Sequence, residues 1–343
     1  MIISFSDTIF QIQDHSIQKT LAKILVELIE EKSQIHFIDI SSVASFFFNN
    51  ENTYIFDENA IAKRHLSETE KILLKEYISN IPRKTITRLH RSHLTHFVIG
   101  INSEEVHPKD AGRLIKERSK IIVENGINDW KFITAICQKY SSARKSRQSI
   151  YLLLDKAIKM GAIESDNAGG IGEIKKVTQR WINDQRYDNI YKYKLMAIFD
   201  SDRKIGEAEI TDKKHEGIIN FLSQVDVTHH MLYKRKIENY LPVSVILENR
   251  AIKLIITDAQ KINLENKSGE ELDFLEYGSK DGCINLGQWG EKNIKENFPE
   301  MFHDSFSYRE LEERCDHHKK YLQETEEVTY ETEEILLKIA KIL

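Results

Sequence analysis

Short apolar runs that alternate with amphipathic helical stretches constrain this chain more than any other feature. The runs "KIIVEN", "YKLMAIFD" and "THHML" are typical of buried strands, whereas "DWKFITAICQKY" and "HEGIINFLSQ" have the apolar spacing of helices. Strands separated by helices form a mainly parallel sheet, and functional side chains collect at the carboxyl ends of such strands. The pattern therefore predicts an α/β fold with a mainly parallel sheet flanked by helices.

The same alternation predicts three parts. Residues 1–115 contain their own helix and strand patterns, and they predict an additional accessory α/β domain for partner or substrate recognition. This domain includes the helix "LSETEKILLKEYISNI", which Ser67 and Glu70 open as a capping box. Residues 116–262 follow as the catalytic domain, after polar residues around Pro108 interrupt the apolar pattern. Residues 263–343 are predicted to be a mostly helical extension, and the run "ETEEVTYETEE" a solvated acidic face.

Composition excludes several classes of protein. A chain of 343 residues with 41% hydrophobic and 30% charged residues has the length of about two globular domains and is not expected to be disordered. No window approaches the ~18 apolar residues that span a bilayer, and the N-terminus lacks a signal-peptide pattern. Three scattered cysteines, Cys137, Cys283 and Cys315, do not form a disulfide framework. We therefore expect a cytoplasmic protein with no membrane partner.

Acidic residues stand where the apolar runs end. Glu124 follows "KIIV", and Asp200 and Asp202 follow "LMAIF". A third acidic position, Glu238, lies beside the cations of "KRKIEN". Because the ends of parallel strands meet at one edge of a sheet, we expect these carboxylates to converge in space. Oxygen ligands of this kind bind Mg²⁺ or Mn²⁺, and the set favours metal-assisted phosphoryl chemistry.

The order of these motifs resembles the Toprim fold, which topoisomerases, bacterial primases, recombination-repair proteins and the overcoming-lysogenization-defect (OLD) nucleases share. In that family a strand ends in Glu before a Gly turn, as at Glu124 and Gly126, and a later strand ends in Asp-x-Asp. The segment "HHMLYKRKIENYLP" is similar to the OLD version, and "GGIGEIKKV", with Gly170, lies where such domains have a Gly-bearing turn. The resemblance covers roughly residues 118–260.

Two departures from the family are visible. Asn125 stands between Glu124 and Gly126, whereas the family has Gly directly after Glu. OLD nucleases also carry an ATPase domain, but no GxxxxGK[ST] occurs in this chain. We therefore expect no intrinsic ATP hydrolysis, and any nucleotide control would come from a separate ATPase subunit.

The resemblance implies a two-metal nuclease, an effector of a bacterial anti-phage defence system that acts on nucleic acid, with DNA favoured over RNA. It is also compatible with a homo-oligomer. Five residues are predicted to be catalytic, and the first four of them to bind Mg²⁺ or Mn²⁺: Glu124, Asp200, Asp202, Glu238 and Lys234. Five cations are predicted to bind substrate: Arg144, Lys145, Arg147, Arg235 and Lys236. Gly126 and Gly170 are predicted to be structural turns.

Simpler interpretations stand beside these roles. Asp129 is typical of a helix N-cap. Alternatively, Lys234 and Lys236 are ordinary surface charges, and the segment around Arg144 is a solvated loop. An RNA-directed nuclease remains an alternative, as does a non-catalytic subunit that docks on nucleic acid or on an ATPase.

Histidines and a cysteine offer a separate possibility of metal binding. His229 and His230, on a short strand, fit packed or hydrogen-bonded side chains better than ligands. Cys315 with His317 and His318 looks like a metal fragment, but it lacks a second pair at zinc spacing. The sequence alone therefore gives no reason to assign a zinc site.

Overall fold

The computed structural model describes residues 1–30, 35–49, 51–79, 93–185, 190–207, 213–277, 297–322 and 327–343. The strands are β1 (Ile2–Phe5), β2 (Phe37–Ile38), β3 (His96–Ile99), β4 (Ser119–Val123), β5 (Ile163–Asn167), β6 (Leu195–Phe199), β7 (Thr228–Met231), β8 (Lys320–Leu322) and β9 (Glu327–Thr329). The α-helices are α1 (His15–Glu30), α2 (Ala44–Phe47), α3 (Ala60–His65), α4 (Glu68–Ser79), α5 (Pro108–Leu114), α6 (Asn128–Ser141), α7 (Gln148–Lys159), α8 (Ile174–Ile182), α9 (Lys213–Gln224), α10 (Val243–Glu248), α11 (Arg250–Lys253), α12 (Asp258–Glu265), α13 (Gly269–Asp273), α14 (Tyr308–Arg314) and α15 (Glu331–Lys341). Across the described ranges, no helix is both long and apolar enough to cross a bilayer.

The first part of the chain folds around a parallel sheet of three strands in the order β2-β1-β3. Helix α1 buries Leu21, Leu25 and Leu28 in a hydrophobic cluster that extends as far as Ile115. The predicted capping box is confirmed, because Ser67 N–H donates to the Glu70 carboxylate over 2.7 Å and Glu70 N–H donates to Ser67 Oγ over 3.3 Å.

The second sheet has the order β5-β4-β6-β7, and all of its pairs are parallel. Side chains alternate along each strand, so Ile121 and Val123 join one buried cluster with α6 and α7, while Ile122 joins another with α8 and α9. Helices therefore cover both faces of this sheet. The predicted α/β architecture, with parallel strands flanked by helices, is confirmed at this level.

The C-terminal part packs against the second sheet. An antiparallel hairpin of β8 and β9 precedes α15. Helix α15 buries Ile335, Leu336 and Ile339 in the same cluster as Ile121 and Met196. This helix is thus part of the layer that covers one face of the sheet.

The prediction of a solvated acidic face is wrong for Glu331 and Glu333, each only 1% exposed. Glu331 accepts a hydrogen bond from His230 Nε2 over 2.9 Å, and Glu333 pairs with Lys145 Nζ over 2.9 Å. The last residues of the run form the first turn of α15. Carboxylates of this turn contact the side chains of His230 and Lys145. The first three residues of the run, 324–326, lie outside the described part of the chain.

Candidate metal centre

Two neighbouring strands in the middle of the second sheet carry the first two predicted ligands. Glu124 directly follows β4 and Asp200 directly follows β6, and these strands pair with each other. Glu124 Oε1 accepts the backbone N–H of Asp200 over 3.0 Å. The two strand ends, 76 positions apart in sequence, are therefore joined by a side chain of the site itself.

The turn between β4 and α6 depends on Asn125 and Asp129. Asn125 Oδ1 accepts the N–H groups of Ile127 and Asn128, each over 3.0 Å, in the manner of an Asx turn. Asp129 Oδ2 accepts the N–H of Asn125 over 2.8 Å. The interpretation of Asp129 as the N-cap is wrong, because Ile127 occupies the N-cap position and Asn125 already binds the free N–H groups. Asp129 instead turns back towards the end of β4.

Glycine is required in two turns for different reasons. A Cβ at Gly126 would lie 2.9 Å from Asn167 Cβ, so this position needs glycine for a close approach to the end of β5. The backbone of Gly170 has a φ of 129°, which L-amino acids with a side chain rarely adopt. Both turns have the geometry for which glycine was predicted.

Asp202 has a backbone conformation that is uncommon for residues other than glycine. Its φ is 53°, in the left-handed region that Asp tolerates better than most residues. Its N–H donates to the Arg235 carbonyl over 3.1 Å, and the Arg235 guanidinium donates back to the Asp202 carbonyl over 3.3 Å. These two bonds hold the strained loop next to the segment that carries Lys236 and Glu238.

A cavity of about 330 Å³ lies at this edge of the sheet. It is lined by Glu124, Asn125, Asn128, Asp129, Gly169, Gly170, Asp200, Asp202, Lys236, Ile237, Glu238 and Pro299. The structure thus brings together all four carboxylates that were predicted to bind metal, and it adds Asp129 to them.

Burial and mutual repulsion raise the pKa values of these carboxyl groups. Burial raises the pKa of Asp200 well above its ordinary value, and the charges of Glu124, Asp129 and Glu238 raise it further. Burial and the charges of Glu124 and Glu238 raise the pKa of Asp129 to about 7. Burial, with the charge of Asp202, also raises the pKa of Glu124. The site is therefore costly to ionise without a cation.

The donor set fits hard divalent cations. The possible ligand atoms of its acidic residues are carboxylate oxygens, which Mg²⁺ and Mn²⁺ prefer. Lys236 is the one cationic side chain among the lining residues, with Nζ 3.7 Å from Asp202 Oδ1. No three of these carboxylates have oxygens that all lie within 4.8 Å of one another. A cation held by carboxylates at this spacing would complete its coordination shell with oxygens of water and phosphate.

Lys234 does not line the cavity, contrary to its predicted catalytic role. Its side chain is fully buried, and its ammonium group pairs with Asp273 and donates to the Arg314 carbonyl over 2.6 Å. Burial opposes ionisation of Asp273, but the hydrogen bond from His318 and the charge of Lys234 outweigh it and hold the pKa of Asp273 below its ordinary value. Lys234 is thus half of a buried ion pair.

Arg235 also has a structural position and not the predicted substrate-binding one. It is only 7% exposed, and its guanidinium donates to the carbonyl oxygens of Asp202 and Arg203. It also pairs with Glu276 over 3.3 Å. Its role is to brace the loop that carries Asp202.

The basic segment before α7 behaves differently from its prediction as a phosphate contact. Lys145 pairs with Glu312 and Glu333, and Arg147 is 6% exposed and donates to Thr329 Oγ1 over 3.1 Å. Both cations face the C-terminal part of the chain because its buried acidic and polar groups need donors. Arg144 is exposed and does not line the cavity, so its contact with nucleic acid stays a prediction.

The structure adds one neighbour of the site that the sequence did not single out. His215, on α9, is 2% exposed, and its Nε2 donates to the Asp200 carbonyl over 3.2 Å. A single histidine in an amphipathic helix carries no signal for such a role. His230, by contrast, is packed and hydrogen-bonded as expected. Cys283 lies outside the described residues.

Comparisons with known proteins found no match for this chain. It matches no protein-family profile, no curated protein and no solved structure. The resemblance to Toprim nucleases therefore depends on the quoted motifs, and the function must be argued from the cavity itself.

Proposed function

We propose that this chain is a divalent-metal-dependent nuclease of the OLD-like Toprim type. One observation carries the proposal: acidic residues from three separate segments, at the ends of β4 and β6 and after β7, line a single cavity. The same side chains have raised pKa values because they are held together without enough positive charge. Such an arrangement is typical of functional sites. A cluster of like charges destabilises the fold, so its presence points to a function that needs it.

Five side chains of the cavity have a proposed task. Asp200 and Asp202 are the main metal ligands. Glu124 is a second-site ligand or general base, and Glu238 binds metal or holds a neighbouring lysine in place. The chemistry that bound Mg²⁺ or Mn²⁺ supplies is a lowered pKa of an attacking water and neutralised charge around the phosphate. Lys236 is placed to orient the scissile phosphate or to stabilise developing charge.

The proposed setting is a cytoplasmic anti-phage defence system. The substrate is nucleic acid, with DNA favoured over RNA. Any nucleotide control would come from a separate ATPase subunit, because the chain contains no phosphate-binding loop of the GxxxxGK[ST] type.

Cleavage assays with Asp200→Asn test the proposal. The purified chain is incubated with plasmid DNA, linear DNA or total RNA, with Mg²⁺, with Mn²⁺ or with EDTA. We expect metal-dependent cleavage by the wild type and loss of cleavage in Asp200→Asn, which keeps the side chain's size but removes a ligand charge. Asp258→Asn is the matched control, because Asp258 is exposed in the first turn of α12 and should not affect cleavage.

Thermal unfolding provides a second measurement on the same proteins. Without metal, Asp200→Asn should melt at the same temperature as the wild type or higher, because repulsion in the cavity is reduced. Added Mg²⁺ should stabilise the wild type by binding the folded state, and this increase should shrink in Asp200→Asn. Retained cleavage together with an unchanged metal effect would contradict the proposal. A normal metal effect without cleavage of any substrate would favour the non-catalytic alternative.

A further inference from the structure

A second cluster of possible metal ligands lies apart from the carboxylate cavity. Asp273 ends α13, and His317 and His318 follow α14. The Nε2 atoms of both imidazoles contact the same carboxylate oxygen, Asp273 Oδ2, and the contact from His318 measures 2.9 Å. Among the residues that the structure describes, this is the one trio whose potential ligand atoms all lie within 4.8 Å of one another.

The two oxygens of Asp273 have separate environments. Oδ1 accepts hydrogen bonds from Lys234 Nζ and from Arg314 Nη2, the latter over 3.0 Å. Oδ2 faces the two imidazoles. The carboxylate is fully buried, whereas the side chains of His317 and His318 are 38% and 23% exposed. Buried donors therefore fix the orientation of the carboxylate, and the trio is open to solvent on the histidine side.

The backbone leaves space for one of these imidazoles. A Cβ at Gly269, the first residue of α13, would lie 3.0 Å from Cε1 and 3.4 Å from Nδ1 of His317. Such a contact is closer than side chains normally allow, so a residue larger than glycine would displace the ring. Gly269 thus belongs to the arrangement that holds His317 over Asp273.

We propose that Asp273, His317 and His318 form a binding site for Zn²⁺. Two imidazole nitrogens and one carboxylate oxygen are a common three-residue set for zinc, and a water on the exposed side completes four-coordination. Imidazole ligands favour Zn²⁺ over Mg²⁺, so this site and the carboxylate cavity select different cations. Lys234 and Arg314 donate hydrogen bonds to Asp273 Oδ1. Such hydrogen bonds to the oxygen that does not bind the metal orient a ligating carboxylate.

The position of the trio lets the ion link two parts of the chain. Asp273 and His317 are 44 residues apart in sequence, so the ion would join two distant segments. The carbonyl of Asp273 accepts the N–H of Arg235 over 2.9 Å, and Arg235 braces the loop of Asp202. Zinc at this site therefore stabilises the region that supports the carboxylate cavity, and it does so whether or not the cavity cleaves nucleic acid.

Direct metal binding tests the site. The full chain is freed of metal with a chelator, which is then removed, and it is titrated with Zn²⁺ in excess Mg²⁺ that occupies hard oxygen sites. Co²⁺ replaces Zn²⁺ in a parallel titration, because its visible absorption reports nitrogen ligation and tetrahedral geometry. The variants are His317→Ala and His318→Ala, with His303→Ala, an exposed histidine in the same part of the chain, as the control. Circular dichroism verifies the fold of each variant.

The expected result is one equivalent of Zn²⁺ that the wild type, His303→Ala and Asp200→Asn all retain. Each of the other two histidine variants should lose that equivalent together with the Co²⁺ absorption. Zinc should also raise the melting temperature of the wild type but not of these two variants. The proposal is overturned if the wild type binds no Zn²⁺ in excess Mg²⁺, as a purely hydrogen-bonded trio would. Zinc stoichiometry that is equal in the wild type and both variants overturns it as well.

Discussion

Asp129 allows a quantitative test of the combined effect of burial and repulsion within the carboxylate cavity. The substitution Asp129→Asn removes a charge and retains an oxygen that can accept the N–H of Asn125, so the turn after β4 keeps its hydrogen bond. In the wild type, burial and the charges of Glu124 and Glu238 raise the pKa of Asp129 from 3.8 to about 7. The folded protein therefore holds this proton more tightly than the unfolded chain.

The sign and size of the effect follow from proton linkage. Between pH 4 and pH 7 the unfolded chain loses the proton while the folded protein retains it, so the stability of the folded state falls as the pH rises. At about 1.4 kcal/mol for each pH unit, the loss from this group amounts to about 4 kcal/mol and levels off above pH 7. The asparagine of Asp129→Asn does not titrate, so the stability of this variant does not fall in this way as the pH rises. Relative to the wild type, the variant should gain up to about 4 kcal/mol as the pH is raised from 4 to 8.

Urea unfolding in EDTA, monitored by circular dichroism across this pH range, measures the effect. Asp258→Asn is the control, since it removes an exposed carboxylate from the first turn of another helix and should follow the wild-type profile. Mg²⁺ should reduce the wild-type loss at high pH, because it binds the ionised carboxylates of the folded state. Parallel pH profiles for the wild type and Asp129→Asn would refute the idea that burial and neighbouring carboxylates raise the pKa of this carboxyl group.

Two further substitutions test the framework around the site. Gly126→Ala places a Cβ 2.9 Å from Asn167 Cβ and should destabilise the protein by about 1–3 kcal/mol in urea unfolding. Gly217→Ala, in α9, places its Cβ in open space beside the helix, so it should be neutral or stabilise by up to about 1 kcal/mol. Lys234→Met leaves Asp273 without its buried partner and should cost about 3–5 kcal/mol, and an unchanged urea midpoint would show that this ion pair does not support the fold.

Strand ends were the part of the site that local sequence patterns could predict. An apolar run that stops at an acidic residue places that residue at the carboxyl edge of a parallel sheet, and this rule brought Glu124 and Asp200 together correctly. The same rule could not assign Asp129. A carboxylate in the first turn of a helix normally binds N–H groups of that helix, and only the side chain of Asn125 makes a different arrangement necessary here.

The cations could not be predicted from their neighbours in sequence. Three consecutive residues, Lys234, Arg235 and Lys236, have three different environments: a buried pair with Asp273, a brace on the Asp202 loop, and the cavity wall. The segment follows the last residue of β7, so the two-residue period that assigns side chains to faces no longer applies. Which cation points inward depends on acceptors that are distant in sequence, since those of Arg235 lie 32 and 33 positions before it and Asp273 lies 39 positions after Lys234.

The distribution of charge through the molecule is itself an argument for a ligand in the cavity. Two buried acidic groups elsewhere have lysine or arginine partners: Asp273 has Lys234 and Arg314, and Glu333 has Lys145. The carboxylate cavity is treated differently, because its acidic side chains share Lys236 as the one cation in the wall. A protein that neutralises Asp273 and Glu333 in this way could lower the same cost here with one more lysine or arginine. That it retains the repulsion is understandable if the missing positive charge comes from bound metal during function.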